Sequence, residues 1–242
     1  GFDAEVLFLR NSDIPKYLED GVADLAIIGE NVLIEKKANV EVLEQLGFST
    51  CRLSIATPRE MEYGGISSLA GKKIATSYPN TLQSFLSENK VEADLHIISG
   101  SVEIAPNIGL ADGICDLVSS GSTLLKNGLV EQEIILKSQA VLAANKQSLE
   151  TKTELINDII FRVKAVLKAA ENKYILFNVP NERIDAVSKI LPVLKSPTVV
   201  PLLDEGWSSI HTVINRKDFW KIIGEIKKYT HKILKHNHAI FC

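Results

Sequence analysis

Cysteine is scarce in this chain: Cys51, Cys115 and Cys242 are all it has, widely spaced and without a C-x-x-C. Such a set supports neither a disulfide framework nor a zinc site, and it points to a reducing cytosol and hence a cytoplasmic protein. Long apolar runs are missing too. The segments richest in Ile and Leu are interrupted by charges, which excludes a helix that spans a bilayer. Basic excess is absent: Lys and Arg number 27 against 30 Asp and Glu, for a net charge of -3. Scattered cations of that kind leave no electrostatic footprint for nucleic acid. No G-x-x-x-x-G-K-[ST] occurs, and no Cys-His or Ser-His-Asp set stands out, so neither a Walker loop nor triad chemistry is indicated.

What is present is an ordinary globular composition, 45% hydrophobic and 24% charged over 242 residues, long enough for two or three domains and a sizeable core. The most informative stretch is Ser99 to Leu124, SGSVEIAPNIGLADGICDLVSSGSTL. It predicts a helix start at Glu103, then a strand from Gly113 to Val118 that is apolar apart from Asp116, and so buried on both faces. Asp116 falls near the carboxyl end of that strand, the end where ligands bind in open α/β sheets. The next residues, Ser119, Ser120, Gly121, Ser122 and Thr123, are small or hydroxylic and open a short helix that Gly128 stops. Backbone N–H groups, a helix amino end and hydroxyls aimed at one point suit a phosphate or pyrophosphate. An ordinary strand-to-helix turn with a Ser/Thr cap has the same spacing. Cys115, inside the apolar strand, reads as a small core residue.

Glu103, Gly109, Ala111, Ile114, Asp116, Leu117, Ser120, Gly121, Thr123 and Leu124 together resemble, without a gap, the signature of the ATP phosphoribosyltransferase family, which opens histidine biosynthesis. The resemblance runs along nearly the whole chain. R-x-x-D-I-P at Arg10 to Pro15 and D-L-x-I-x-G at Asp24 to Gly29 carry it at the amino end, and the last third resembles the long form with its regulatory domain. The resemblance implies an α/β fold: a two-lobed catalytic core like that of periplasmic binding proteins, plus a small ferredoxin-like α+β domain. Lobe I takes residues 1–52, completed by about 141–171; lobe II takes 53–140; the regulatory domain takes 172–242. Family members have an opening strand-helix unit before the position of Gly1, so an amino-terminal truncation is expected.

Along the chain, Glu5 to Arg10 reads as a strand, and Asn11-Ser12-Asp13 caps a helix with Pro15 in its first turn. Ala23 to Gly29 reads as a buried parallel strand ending in the loop Gly29-Glu30-Asn31. By resemblance Arg10, Asp13, Gly29 and Glu30 lie near the nucleotide cleft, although the family often has Asp where Glu30 stands; a helix cap for Asp13 and a surface charge for Arg10 are the plainer alternatives. Strands are expected at Arg52 to Thr57, Lys72 to Thr76, Asp94 to Ser99, Glu131 to Leu136 and Ser138 to Ala144, the last returning to the first lobe. A helix is expected from Thr81 to Asn89. Glu150 to Ala170 carries apolar residues at helical spacing, a connecting helix packed on the core. Beyond it the order is strand (Lys173 to Pro180), helix (Glu182 to Leu191), strands (Thr198 to Leu202, Ser208 to Ile214) and helix (Lys217 to Tyr229), the split motif of small regulatory modules.

The resemblance further implies transfer of the 5-phosphoribosyl group from phosphoribosyl pyrophosphate to N1 of ATP, with Mg²⁺ and a homo-oligomer, dimer or hexamer. Asp116 would sit by the ribose hydroxyls. Glu103 would support the loop or the ribose, or merely serve as a carboxylate at a helix amino end. Ser119 to Thr123 would hold the 5-phosphate. Histidine would bind the last domain as feedback inhibitor, at Ser196, Thr198, Trp207 and Ser209. The tail from Thr230 departs from the family's closing strand; His231, His236 and His238 there lack a supporting carboxylate for a metal site, and an altered terminus is the expectation. A two-lobed anion- or solute-binding protein without catalysis shares the cleft and is the competing class.

Overall fold

Residues 4–191, 197–229 and 240–241 are described in the computed structural model. Ser196, His231, His236, His238 and Cys242 lie outside them. Two compact units emerge, Gly1–Ile160 and Phe161–Cys242, and each is treated by itself.

The first unit holds two sheets. The smaller places β8 (Ala140–Ala144) between β1 (Leu25–Gly29) and β2 (Glu41–Gln45), and pairs it antiparallel with both. Every residue of β8 is buried, as the central strand of a covered sheet must be, and the return of this segment to the first lobe is as the sequence suggests. Helices α1 (Ile14–Glu19) and α2 (Glu30–Lys36) supply Leu18 and Leu33 to the core with Ile28, Val141 and Ala143.

Two expectations fail here. Residues 4–10 form no strand; Val6 and Phe8 are exposed, with no strand beside them among the described residues, and an apolar stretch without a ladder partner is not a strand. Ala23 to Gly29 is buried only in part and is not paired in parallel: Ile28 is in the core but Ile27 is exposed, and β8 inserts itself antiparallel between β1 and β2. Asp13 does occupy the cap position of α1 with Pro next to it, but without a side-chain cap bond.

The larger sheet runs β5 (Asp94–Ile97), β4 (Lys73–Thr76), β6 (Gly113–Val118), β3 (Cys51–Pro58), β7 (Leu129–Ser138). β4 is parallel to β5 and to β6, so the loops after β4 and β6 leave the sheet on the same edge. α3 (Pro79–Glu88) covers one side with Leu82 and Leu86 against Leu53, Ile55, Ile74 and Cys115; the other side packs Ile114 and Val118 with Val102, Leu124 and Leu129. β6 is buried at Gly113, Ile114, Cys115 and again at Val118, while Asp116 is half-buried and Leu117 is exposed. Glu103 begins no helix proper: Val102–Ile104 is a single 3₁₀ turn, preceded by Ser101 in the left-handed region.

α5 (Lys146–Thr151) is capped by the Asn145 side chain, which accepts from Ser148 N at 3.0 Å. α6 (Thr153–Glu171) follows, and the division between the units falls inside it. Ile156 is its buried residue, while Leu155, Phe161 and Val166 are exposed, so the expected helix packed along its whole apolar stripe is corrected to one anchored near its start.

In the second unit β9 (Asn172–Pro180), β10 (Thr198–Pro201), β11 (Trp207–Asn215) and β12 (Ile240–Phe241) form a sheet in the order β10-β11-β9-β12, all pairs antiparallel. Helices α7 (Ile184–Ser188) and α8 (Phe219–Tyr229) contribute Val187, Phe219, Ile222 and Ile226 to a core with Ile175, Phe177, Val179, Ile210 and Ile214. This is the ferredoxin-like arrangement the segment order suggests. Of the tail from Thr230, Ile240 and Phe241 are described and pair antiparallel with Leu176 and Ile175 of β9; the expectation of an altered terminus otherwise lies outside the described residues.

Candidate functional site

The site grows from the end of β6. Gly113 starts that strand because a Cβ there would stand 3.2 Å from the Ala56 carbonyl oxygen of the neighbouring strand. At the other end, Val118 is followed by Ser119 and Ser120, then Gly121 at φ 79°, and α4 (Ser122–Lys126) begins. A side chain at Gly121 would find ordinary room, its nearest neighbour being Val118 Cγ1 at 3.9 Å; it is the left-handed backbone, not crowding, that calls for glycine. Ser120 Oγ and Ser122 Oγ lie 3.1 Å apart.

Glu103, Asp116, Ser119, Ser120, Gly121 and Thr123 line one cavity of about 210 Å³. Asp116 is half-buried on the last turn of the sheet edge, and burial pushes its carboxyl above the usual range; the Leu117 backbone N–H opposes this, and the negative charge of Glu103 adds to it. Ser77, which follows the parallel neighbour β4, donates to Asp116 Oδ1 at 3.4 Å. Two carboxylates beside a hydroxyl-rich loop thus meet in space although one sits on a 3₁₀ turn and the other on a strand.

A second cavity of about 430 Å³ adjoins the same loop, with Ser119 in both walls, and takes in Glu30, Gln45, Cys51, Arg52, Lys137 and Ser138. Glu30 is there because Gly29 gives α2 its start: a Cβ at Gly29 would fall 2.6 Å from Asn31 Oδ1. Asn31 is committed to three bonds, accepting from Ser138 Oγ at 2.9 Å, donating its backbone N–H to the same oxygen at 2.9 Å, and donating Nδ2 to the Tyr78 hydroxyl at 3.0 Å. Glu35 extends the tie between α2 and α3, accepting from the N–H groups of Asn80 and Thr81 and from the Thr81 hydroxyl at 2.7 to 3.0 Å. These bonds fix the walls of the cavity across the two sheets.

Arg10 and Asp13 line neither cavity and are exposed; the Asp13 carboxylate accepts from Ser12 Oγ at 2.9 Å. Ser122 stands at the start of α4 and is exposed. Cys115 is fully buried and burial pushes its thiol up, which suits an inert core residue. Arg52, Ser54, Glu131, Ser77 and Lys137 were not singled out from sequence. The signal available was charge inside otherwise apolar strands, which does not by itself tell a site from an edge.

In the second unit, Thr198 is opposite His211 and Ser209 is opposite both Val200 and Asn178. Cross-strand partners share a face and alternate residues along a strand share one, so Thr198, Trp207 and Ser209 lie together on the face turned away from α7 and α8. Ser209 is buried, and its Oγ has no hydrogen-bond partner among the described residues. Tyr174 and His211 join on the same face, hydroxyl to Nδ1 at 2.5 Å.

An α/β unit with an anion-suited strand-to-helix loop beside two carboxylates, joined to a ferredoxin-like module, defines a class of nucleotide- and phosphate-handling proteins. Comparison with known families narrows it. The family model described as ATP phosphoribosyltransferase matches residues 10–165, and that described as the HisG C-terminal domain matches 169–234. An ATP phosphoribosyltransferase of Phocaeicola vulgatus is 53% identical over 93% of this chain and 80% of its own length; one of Cytophaga hutchinsonii is 53% identical over 94% and 79%. Among solved structures, the ATP phosphoribosyl transferase (HisG:HisZ) complex from Thermotoga maritima superposes with a TM-score of 0.61 at 29% identity, covering 66% of this chain and 78% of that one. The chain belongs to the ATP phosphoribosyltransferase family, in its long form, and a solute-binding protein without catalysis is not favoured.

Proposed function

We propose that the two adjoining cavities are where this enzyme moves the 5-phosphoribosyl group from phosphoribosyl pyrophosphate to N1 of ATP, giving phosphoribosyl-ATP and pyrophosphate, the first step of histidine biosynthesis. The observation that carries the assignment is the convergence of Asp116, Glu103, Ser119, Ser120, Gly121 and Thr123 on one cavity. In this reading the loop N–H groups and hydroxyls of Ser119 to Thr123 hold the 5-phosphate at the start of α4. Asp116 and Glu103 face the ribose. The larger cavity receives ATP, with Glu30 on the wall supplied by α2 and Gly29 setting the start of that helix, while Arg10 and Asp13, which line neither cavity, are carried as members by resemblance.

The chemistry needs no strong base. Adenine N1 offers a lone pair near neutral pH; it forms the new bond to ribose C1 as the bond from C1 to the pyrophosphate oxygen breaks, and pyrophosphate leaves with that electron pair. Positive charge gathers on the sugar meanwhile, and carboxylates fixed beside it stabilise that charge because they need not reorganise. Holding both substrates in line supplies a large part of the acceleration.

Mg²⁺ is usually bound through one or two carboxylates together with substrate phosphates rather than by a protein cage. The pair Asp116 and Glu103 beside the phosphate loop fits that donor set, and among the described residues no cluster of three or more His, Cys, Asp or Glu competes with it. When bound, the ion would neutralise charge on the leaving group.

Histidine as feedback inhibitor is assigned in this reading to the face of the second unit that carries Thr198, Trp207 and Ser209, supported by the buried hydroxyl of Ser209, which has no partner among the described residues; Ser196 is carried as a member by resemblance. The Thermotoga relative is a HisG:HisZ complex, which supports an assembly of some kind for this chain; a homo-oligomer, dimer or hexamer, is carried by resemblance. No helix among the described residues is long and apolar enough to cross a membrane; a cytoplasmic location is supported by the biosynthetic enzymes the chain resembles.

The test is incubation with ATP, phosphoribosyl pyrophosphate and Mg²⁺, with chromatographic detection of both products. Formation of phosphoribosyl-ATP with one pyrophosphate per turnover is expected. A folded protein that binds phosphoribosyl pyrophosphate and releases no pyrophosphate overturns the assignment.

A further inference from the structure

We propose that Arg52, held by Glu131 and Ser54, is the positioning residue that fixes the entry of the phosphate loop for the phosphoribosyl donor. Arg52 lies on β3 opposite Val118, the last residue of β6, and so next to the point where the loop leaves the sheet. Its guanidinium meets Glu131 of β7 in a two-pronged bond, Nε to Oε1 at 2.5 Å and Nη2 to Oε2 at 2.6 Å. Ser54, one strand alternation along from Arg52, donates to the same Oε1 at 2.7 Å. The remaining arm, Nη1, donates to the backbone carbonyl of Ser119 at 2.9 Å.

That carbonyl is the first of the loop and belongs to a residue that lines both cavities. Beyond it the loop makes only local side-chain contacts among the described residues, Ser120 with Ser122, and Gly121 gives it a left-handed corner with the freest backbone of any residue. A carbonyl pinned on one side sets the direction of the peptide planes that follow, and so decides whether the N–H groups of the loop face the phosphate before it arrives. Only arginine has the fork to serve a carboxylate with two arms and a carbonyl with a third. The Glu131 carboxyl is held below its usual range by Arg52, so the clamp is charged throughout the neutral range.

The ion pair is partly exposed, with side-chain exposures of 28% and 26%, and pairs of that kind contribute little to stability. Its loss is therefore expected in the affinity of the loop rather than in the fold. The proposal rests on the phosphoribosyl-transfer reading, which product formation by the unaltered protein checks first and separately.

The experiment measures KM for phosphoribosyl pyrophosphate, KM for ATP, kcat and Tm for the full chain and for Arg52→Ala, Glu131→Ala, the double variant and Arg52→Lys. Each single alanine variant is expected to raise KM for phosphoribosyl pyrophosphate about 10-fold; because Arg52 also lines the cavity assigned to ATP, KM for ATP is judged on Glu131→Ala, whose residue lines neither cavity, and is expected to change there less than about twofold. The double variant should resemble the singles, because either loss already releases the carbonyl. Arg52→Lys keeps charge and stem, should melt with the unaltered protein, and should still raise that KM because an ammonium cannot span both partners. If Glu131→Ala leaves that KM unchanged or lowers it while Arg52→Ala raises it, Arg52 touches the donor itself and the positioning role is wrong. Unchanged KM in Arg52→Lys and Arg52→Ala overturns the proposal outright, as does a rise in both KM values matched by a fall in Tm.

Discussion

At Asp116 the proposed chemistry is set against stability. Burial lifts its carboxyl above the ordinary 3.8, and Glu103 pushes the same way. The folded state then holds the proton more tightly than the unfolded chain, so stability falls as pH rises from 3.8 through the folded value, and above it the ionised group opposes folding. Glu131 has the opposite sign: its carboxyl sits below 4.5, and the stability it contributes is present above 4.5 and lost as pH falls through the depressed value. Asp116→Asn keeps the shape and removes the unfavourable charge. At pH 7 it is expected to raise Tm while phosphoribosyl transfer drops by about 100-fold or more. Calorimetry and turnover on the same preparation decide it; a lower Tm with turnover intact would mean that Asp116 is a structural carboxylate.

At the scale of elements, what the sequence makes legible is what is locally written. Gly113–Val118 is bounded by a glycine and by the serine-rich loop, and the strand occupies those limits; the Ser, Gly and Thr cluster after it folds into a single cavity wall because the residues are consecutive. Residues 4–10 look like a strand for the same local reason and are not one, since a strand is completed by a neighbour. Arg52 and Glu131 escape a reading from sequence because 79 residues separate them, and their meeting depends on the register of β3 with β7, which shifts twice along the pair. The helix α6 carries the same lesson about burial. Its apolar stripe predicts packing throughout, yet Ile156 is buried and Val166 is 68% exposed. Ile156→Ala is accordingly expected to cost about 2–4 kcal/mol and Val166→Ala less than about 0.5 kcal/mol in denaturant unfolding. Comparable losses at the two sites would show that the far half of the helix is covered in solution.

For the whole molecule the question is how the second unit serves the first. It has a core of its own, Ile175, Phe177, Ile210, Phe219 and Ile222 among others, and needs nothing from catalysis to fold. Its sheet is covered by helices on one face, and on the other lie Thr198, Trp207, His211 and a buried Ser209 hydroxyl with no partner among the described residues. Leaving such a hydroxyl unpaired is costly, and a small polar ligand that supplies the bond recovers that cost on binding. An amino acid with a ring and two charged groups suits a face that offers an aromatic residue, an imidazole and hydroxyls, and the end product of the pathway is the one whose binding there has a use. An effect of histidine on turnover, as proposed above, would require two arrangements of the protein that differ in activity and in affinity for histidine, with a coupling of about 1–3 kcal/mol. Histidine is therefore expected to inhibit the enzyme without competing simply for the substrate cavities. Ser209→Val, nearly the same volume without the hydroxyl, should leave uninhibited turnover within about twofold and weaken histidine inhibition about 10-fold. Removal of residues 173–242 should abolish inhibition altogether. If histidine inhibits the Ser209→Val protein and the still-folded shortened protein as strongly as the parent, its site lies in the catalytic unit and the second unit has another purpose.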